Sequence, residues 1–316
     1  MASVTFEIDD ALAVVTISRP PLNLFTWEML DELSDVIDQI AGAPLRALLL
    51  KASGPHFSAG ADVPAMFEGL SAHAAEAHLA KHIPLMERLQ DLPIPTIAAV
   101  RGMCLTAGLE IVLRCDVLWA SETAQFAQLE AMIGATTLLG GAQILTERAG
   151  PARATEICYS ASNYGVADFE KWGIVTKVFP DAELDDAAMN FARKLAKGPT
   201  QALKATKRLI RAAAEGGLPP LIALSAWSAH PYWKRTICRL GCKPLQNMVH
   251  ATSAANSLFR GNNVMNSARS TSTWIHCRSR FIRQIGLFWV GRPRSNPMFQ
   301  GSCRQSALRC QASSQS

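Results

Sequence analysis

Acidic side chains are missing from the last third of the sequence. All 26 Asp and Glu residues lie within residues 1–215, beside 18 Lys and Arg, which gives that part a net charge of −8. Residues 216–316 hold 13 Lys and Arg and no acid. A stretch of one charge sign repels itself and lacks the salt-bridge balance of a folded domain. We therefore expect only the first part to be an ordinary globular domain.

The sequence also predicts neither a membrane span nor a secretory leader. The first residues (Met-Ala-Ser-Val-Thr-Phe-Glu) contain neither a basic region nor an apolar one, so they predict no secretory signal. No apolar run approaches the roughly 20 residues that a membrane-spanning helix needs. We expect no membrane partner and, by default, a cytoplasmic location.

Metal-ligand spacing is absent among the eight cysteines. Cys104, Cys115 and Cys158 each lie in an apolar run, where a free thiol packs as a small hydrophobe. The other five are irregularly spaced after residue 237, and the one close pair, Cys238 and Cys242, is not followed by His or Cys at zinc-finger spacing. We predict no metal site.

Short apolar or β-branched runs alternate with helical periodicity through residues 1–215. The runs predict strands at 4–8, 13–18, 45–50, 97–100, 117–120 and 175–179. Helical spacing predicts a helix capped by Thr26 and running to about residue 41, and others near 74–92, 141–159 (two helices), 184–196 and 200–214. This alternation is typical of an α/β fold with parallel strands.

Three segments carry candidate chemistry: residues 57–62 (Phe-Ser-Ala-Gly-Ala-Asp), residues 97–116 and residues 125–130 (Gln-Phe-Ala-Gln-Leu-Glu). In the first two, small residues follow a strand, so a ligand can approach the backbone closely. Ala107 and Gly108 would begin a helix, where free N–H groups favour a developing anion. A second N–H from the turn at 59–61 would complete a two-donor oxyanion hole. Glu110 on the first turn and Glu130 would supply acid–base chemistry.

Each of these features also has a structural explanation when it is taken alone. A turn of small residues that opens a helix is usually only tight packing. A glutamate in a first turn, such as Glu110, often interacts only with the helix dipole. Glu130 alone would be assigned to the solvated surface.

Together, the three segments resemble the crotonase (enoyl-CoA hydratase/isomerase) superfamily. The matching patterns are F-x-A-G-A-D at 57–62, A-A-V-x-G through G-x-E-L to C-D across 98–116, Q-F-x-Q-x-E at 125–130 and W-G-I-V at 172–175. The resemblance covers about residues 4–215. It implies a core that is a spiral of ββα turns in two nearly perpendicular sheets, followed by a helical region that mediates trimer contacts.

The resemblance also implies roles for individual residues. Glu110 and Glu130 would position a water and shuttle its protons, and the N–H groups of Ala61 and Ala107 would hold the thioester carbonyl. The implied substrate is an acyl-CoA thioester of fatty acid metabolism, with no separate cofactor and no nucleic-acid partner. Three further residues are assigned to substrate binding beside the oxyanion hole: Ala59, Asp62 and Gly108.

Keeping both glutamates favours enoyl-CoA hydratase over the other activities of the superfamily. Two alternatives stay open: an enoyl-CoA isomerase that uses one glutamate, and a non-catalytic acyl-CoA-binding protein. Two departures bear on the choice. The family usually has Gly-Gly-Gly at 106–108, and a methyl at Ala107 would crowd the thioester if that residue took positive φ. The family tends to have Pro-Gly where this chain has Leu138, which would reshape the water pocket.

The sequence divides into three predicted regions. Residues 1–197 would form the spiral core, and residues 198–217 would begin the C-terminal helical region of a homo-oligomer, a trimer or hexamer. Residues 218–316 are an atypical basic tail that replaces the rest of that region, which we predict to be frame-shifted or disordered. Read one base out of frame, Trp233-Lys234 encodes Glu, as the family pattern there requires. A nucleic-acid-binding extension is the alternative.

Overall fold

The computed structural model describes residues 3–216 of the 316. The strands are β1 (Val4–Asp9), β2 (Leu12–Ile17), β3 (Ala47–Ala52), β4 (Thr96–Val100), β5 (Met103–Leu105), β6 (Val117–Ser121), β7 (Gln125–Ala127), β8 (Tyr164–Gly165) and β9 (Lys177–Phe179). The helices are α1 (Trp27–Gly42), α2 (Val63–Phe67), α3 (Ala72–Asp91), α4 (Ala107–Val112), α5 (Gly141–Ala149), α6 (Pro151–Ser160), α7 (Val166–Lys171), α8 (Leu184–Lys197) and α9 (Thr200–Gly216), with a 3₁₀ turn at Glu130–Ile133.

Six strands form the main sheet in the order β1-β2-β3-β4-β6-β9. β1 and β2 are antiparallel, with Val4 opposite Ile17, and every later neighbour is parallel. Parallel strands need crossover connections, which here contain α1, α3 and other helices. The mixed α/β fold with a parallel sheet that the sequence predicts is therefore confirmed.

Helices cover both faces of this sheet. Side chains alternate along a strand, so β2 presents Leu12 and Val14 to one face and Ala13, Val15 and Ile17 to the other. The first face packs on α8, whose buried residues recur every four positions at Leu184, Ala188, Ala192 and Ala196. The second face packs on α1, which Thr26 caps as predicted by accepting a hydrogen bond from the Met29 N–H.

A second sheet, in the order β5-β7-β8, stands beside the first. Its first strand follows β4 after only Arg101 and Gly102, so the chain changes sheets within two residues. Gly102 has φ +53°, and a Cβ there would lie 2.2 Å from the Pro55 carbonyl oxygen. This tight turn aims Thr106 and α4 at the segment 58–62, which is the arrangement on which the site depends.

The structure corrects some predicted boundaries. The strand predicted at 45–50 is β3, Ala47–Ala52, because its ladder with β2 begins with Ala47 opposite Leu12 and ends with Ala52 opposite Ile17. Strands β5, β7 and β8 were not predicted from the sequence, and neither were helices α2 and α7. The predicted boundary at 197/198 falls between α8 and α9. The predictions about residues 218–316 lie outside the described residues.

Two features are absent from the described residues. Between residues 3 and 216, no helix combines the length and the apolar character that crossing a membrane requires. In the same part of the chain, no cluster of three or more His, Cys, Asp or Glu side chains is arranged to hold a metal ion.

Candidate functional site

An apolar cavity of about 390 Å³ brings most of the predicted site residues together. Glu110 and Glu130 both line it, as do Ala59, Ala61 and Ala107. The rest of its wall is mainly apolar and includes Phe25, Trp27, Leu30, Met66, Phe67 and Leu138. A small number of polar groups in an apolar concavity is the usual form of a small-molecule site.

Glu110 is almost completely enclosed at this cavity. It lies on the first turn of α4, is 3% exposed, and its Oε1 accepts hydrogen bonds from the N–H of Leu139 (3.0 Å) and of Gly141 (2.7 Å). Burial raises the pKa of Glu110 to about 7, since the Gly141 hydrogen bond opposes this shift only in part and the Glu130 charge adds to it. Glu110 can therefore hold or release a proton near neutral pH.

Glycine at position 141 is required by the closeness of this contact. A Cβ there would lie 2.9 Å from Glu110 Cγ and 3.0 Å from its Oε1, and it would also strike the Gln128 amide. Any larger residue would push the carboxylate away from the two N–H donors. No pattern in the sequence predicted that Gly141 holds Glu110.

Glu130 begins the 3₁₀ turn and is partly buried at the cavity. Gln128, which is fully buried, donates from Nε2 to both carboxylate oxygens, at 2.9 and 3.1 Å, in the orientation that satisfies both ends of its amide. Burial raises the pKa of Glu130, and a backbone hydrogen bond at the same residue opposes this. Gln128 is a site residue that the sequence reasoning missed, although it lies inside the quoted motif.

Backbone hydrogen bonds fix the segment 58–62 on both sides of Ala61. The Phe25 N–H donates to the Gly60 carbonyl (2.8 Å), and the Asp62 N–H donates to the Phe25 carbonyl (2.8 Å). Ser58 Oγ accepts from the Gly60 N–H (3.0 Å) and donates to the Asn23 carbonyl (2.7 Å). Within the described part of the chain, the Ala61 N–H has no hydrogen-bond acceptor. It is therefore free to bind a ligand in the cavity.

Ala107 is the first residue of α4, as predicted, and its N–H likewise has no acceptor among residues 3–216. The unusual backbone conformation lies one residue earlier, because Thr106 has φ +45° and ψ −118°. Positive φ is rare for a β-branched residue, and such strain is often found at functional sites. Ala107 is not among the described residues with positive φ, so the condition under which its methyl would crowd a thioester is not met.

Asp62 and Gly108 are not part of the cavity lining among the described residues. Asp62 Oδ1 accepts from the Ala65 N–H (3.2 Å) and so caps α2, while its Oδ2 pairs with Arg19 Nη2 at 2.9 Å. Gly108 packs on Ser58, where a Cβ would lie 2.8 Å from the serine Cβ. Both residues support the walls of the cavity.

The assembled site has a defined chemical capacity. Two carboxyl groups whose pKa values are raised by burial share a cavity with two free backbone N–H groups. Such N–H groups can bind an oxygen that gains negative charge, and such carboxyl groups can exchange protons with a neighbouring carbon or water.

Comparison with known proteins gives consistent results. The family model described as enoyl-CoA hydratase/isomerase matches residues 7–232. A Rhodobacter capsulatus protein named a probable enoyl-CoA hydratase is 30% identical over 226 residues, which cover 71% of this chain and 87% of the relative. The 1,2-epoxyphenylacetyl-CoA isomerase of Escherichia coli is 30% identical over 224 residues, covering 67% of this chain and 83% of the relative.

A solved structure shares the fold. Pseudomonas aeruginosa DspI is 28% identical, with a TM-score of 0.65, and the match covers 77% of this chain and 96% of that chain. The similarity in sequence and the similarity in structure therefore extend over the same α/β core that holds the cavity.

Proposed function

Because the chain belongs to the enoyl-CoA hydratase/isomerase family, we propose that it is an enoyl-CoA hydratase. It would add water across the 2,3 double bond of an enoyl-CoA thioester. The observation that carries the proposal is that Glu110 and Glu130 line the same cavity and that burial raises both of their pKa values. A homo-oligomeric state, a trimer or hexamer, and a role in fatty acid metabolism remain part of the proposal.

The free N–H groups of Ala61 and Ala107 would act as the oxyanion hole. Both residues line the cavity, and both N–H groups lack an acceptor among residues 3–216. When water adds to C3 of the enoyl thioester, negative charge moves onto the thioester oxygen. Fixed donors stabilise this charge without reorganising during the reaction.

The two glutamates would divide the proton transfers. An ionised carboxylate accepts a proton from water as the water oxygen bonds to C3, and a protonated carboxyl then delivers a proton to C2 of the enolate. The net result is one water added, and the pair still carries a single proton, which has moved from one carboxyl group to the other. A raised pKa for both groups, with Glu110 at about 7, would keep one proton on the pair near neutral pH.

A second candidate is double-bond isomerisation, since one relative is named an isomerase. That activity needs one group that removes a proton and returns it to another carbon, so a single glutamate would suffice. Retaining two carboxyl groups at the cavity favours hydration. A non-catalytic acyl-CoA-binding protein would not need either carboxyl group.

Crotonyl-CoA and a 3-enoyl-CoA, tested side by side, separate the three candidates. Loss of the absorbance of the conjugated thioester indicates hydration. Migration of the double bond of a 3-enoyl-CoA without water addition would indicate isomerisation, and CoA binding without turnover would indicate a binding protein. A screen of short, medium and aromatic enoyl-CoAs would then define the acyl group.

A further inference from the structure

Arg114 connects the helix that holds Glu110 to the segment that binds the Glu110 carboxylate. It lies four residues after Glu110, just beyond the end of α4. Its Nη2 donates to the Leu139 carbonyl oxygen at 2.5 Å, and its Nη1 donates to Gln90 Oε1 at 2.7 Å. The planar guanidinium presents these two donors in a rigid fork, whereas a lysine presents its N–H donors from a single atom on a flexible chain.

Leu139 is bonded on both sides by these two residues. Its N–H donates to Glu110 Oε1 at 3.0 Å, and its carbonyl accepts from Arg114. The next N–H to reach the same carboxylate oxygen is that of Gly141, at 2.7 Å. The position of residues 139–141 therefore decides whether Glu110 receives both hydrogen bonds.

Gly140 shows how closely the guanidinium packs on this segment. It has φ +93°, and a Cβ there would lie 2.0 Å from Arg114 Nη2 and 3.3 Å from its Cζ. Only a residue without a side chain allows the arginine to reach the Leu139 carbonyl along this path. Glycine at position 140 thus leaves room for the Arg114 guanidinium, and glycine at position 141 leaves room for the Glu110 carboxylate.

We propose that Arg114 is a positioning residue for Glu110, which holds residues 139–141 so that two N–H groups face the Glu110 carboxylate. Arg114 does not line the cavity in the described part of the chain, so it acts through Leu139 and does not contact the substrate. The proposal rests on the proposed function for its effect on turnover, but its effect on the ionisation of Glu110 is independent of that function.

Charge acts in the same direction as the hydrogen bonds. The Arg114 cation favours the ionised form of Glu110, whereas burial and the Glu130 charge favour the protonated form. Around Arg114 itself, the other charged groups are Glu87, Glu147 and Arg211. Removing the cation and releasing the segment both disfavour the carboxylate, so both raise the pKa of Glu110.

The experiment uses Arg114→Met, Arg114→Lys and Gly140→Ala in the full chain. The matched control is Arg88→Met, which removes another partly exposed arginine. That arginine donates to Ser34 and pairs with Asp38, and it contacts neither Glu110 nor residues 138–141. Infrared spectra taken across a pH series, with the spectrum of Glu110→Gln subtracted, report the protonated Glu110 carboxyl without any substrate. The kcat and KM for crotonyl-CoA are measured in parallel.

We expect Arg114→Met to move the Glu110 titration to higher pH and to lower kcat by up to about 100-fold, as small misplacements of a reacting group do. KM should change little. The Glu110 titration and the kcat of Arg114→Lys should lie between those of the unmodified chain and of Arg114→Met, because lysine keeps the charge and loses the planar pair of donors. Gly140→Ala should shift the titration in the same direction with every side chain of the site still present. Arg88→Met should match the unmodified chain.

A folded Arg114→Met variant in which Glu110 titrates as in the unmodified chain would overturn the proposal. If Arg114→Met does not fold, Gly140→Ala decides, and an unchanged titration in that variant overturns the proposal equally. If no variant, including the unmodified chain, hydrates crotonyl-CoA, the proposed function fails, and the infrared titration still decides the role of Arg114.

Discussion

The two walls of the cavity are held in different ways. Residues 58–62, which carry the Ala61 N–H, are fixed by backbone hydrogen bonds that extend a strand-like ladder, with the Ser58 N–H donating to the Met103 carbonyl and the Leu105 N–H donating to the Ser58 carbonyl, both at 2.9 Å. Residues 131–140 form mostly local bonds. Among the described residues, their bonds to elements beyond 129–144 end on Glu110 and Arg114.

This difference separates the electrophilic part of the site from the acid–base part. The N–H donors are built into the backbone, so their direction does not depend on any one side chain. The environment of Glu110 depends on a segment that two side chains hold. We therefore expect substitutions in residues 58–62 to affect stability and substitutions around residues 131–141 to affect proton transfer.

The largest expected effect follows the removal of a carboxyl group. Glu110→Gln and Glu130→Gln should each lower the hydration rate by about 10²–10⁴-fold, because each removes an acid–base partner. Circular dichroism should show that both variants remain folded. Near-full hydratase activity in Glu130→Gln would refute the two-glutamate mechanism, and loss of hydration with retained double-bond migration would favour the isomerase.

The next largest effect tests the part of the site that supplies the N–H donors. Ala107→Pro removes one N–H donor and should lower kcat by about 10²–10³-fold. Proline is tolerated at the first position of a helix, so α4 itself should persist. Ala107→Gly is the control, since it keeps the N–H and should stay active. An active, folded Ala107→Pro variant would place the oxyanion elsewhere.

The buried carboxyl of Glu110 should make the stability of the chain depend on pH. Its pKa is raised from 4.5 to about 7 in the folded chain, so between these values the folded state holds a proton that the unfolded state has lost. The free energy of unfolding should therefore fall as pH rises through this window, by about 3 kcal/mol from this group.

Denaturant unfolding of the unmodified chain and of Glu110→Gln between pH 4.5 and 7.5 measures this contribution. The variant should lose less stability than the unmodified chain as pH rises. Parallel curves for the two proteins would mean that Glu110 is ionised throughout the window.

The smallest expected effect is the difference in stability loss between two glycine substitutions, one in each wall of the cavity. Gly60 has φ +107°, and a Cβ there would lie 2.0 Å from Thr106 Oγ1, whereas Gly134 has φ +70° and open space around it. Gly60→Ala should cost about 1–3 kcal/mol more than Gly134→Ala, because it adds a clash with the Thr106 hydroxyl to the cost of positive φ. Thermal unfolding of both variants measures the difference, and equal losses would mean that residues 58–62 yield easily.

The sequence predicted the backbone features of this site better than its side-chain contacts. The start of α4 at Ala107 and the cap at Thr26 follow from local residue types, and the structure has both. The three-residue strands β5 and β7 are too short to produce a periodic pattern. Their pairing depends on contacts between Met103 and Gln125, which no local rule contains.

The unpredicted parts of the site depend on distant packing. The buried amide of Gln128 lies against Gly141 as well as Glu130, and the link from Arg114 to Leu139 spans 25 residues. Positive φ occurs at Thr106 and not at Ala107, and the glycine pattern alone does not identify which position carries it. The predicted bounds of β3 lie two residues too early, since its apolar run begins before its ladder with β2 does.

The most direct test of the account is the fate of labelled water. Crotonyl-CoA is incubated with the purified chain in water enriched in oxygen-18, and the acyl-CoA product is analysed by mass spectrometry. The two-glutamate hydration mechanism predicts a product that has gained one water containing the label. It predicts no such product from the variant in which both Glu110 and Glu130 are glutamine. Unchanged crotonyl-CoA, or labelled product formed equally by the double variant, would contradict it.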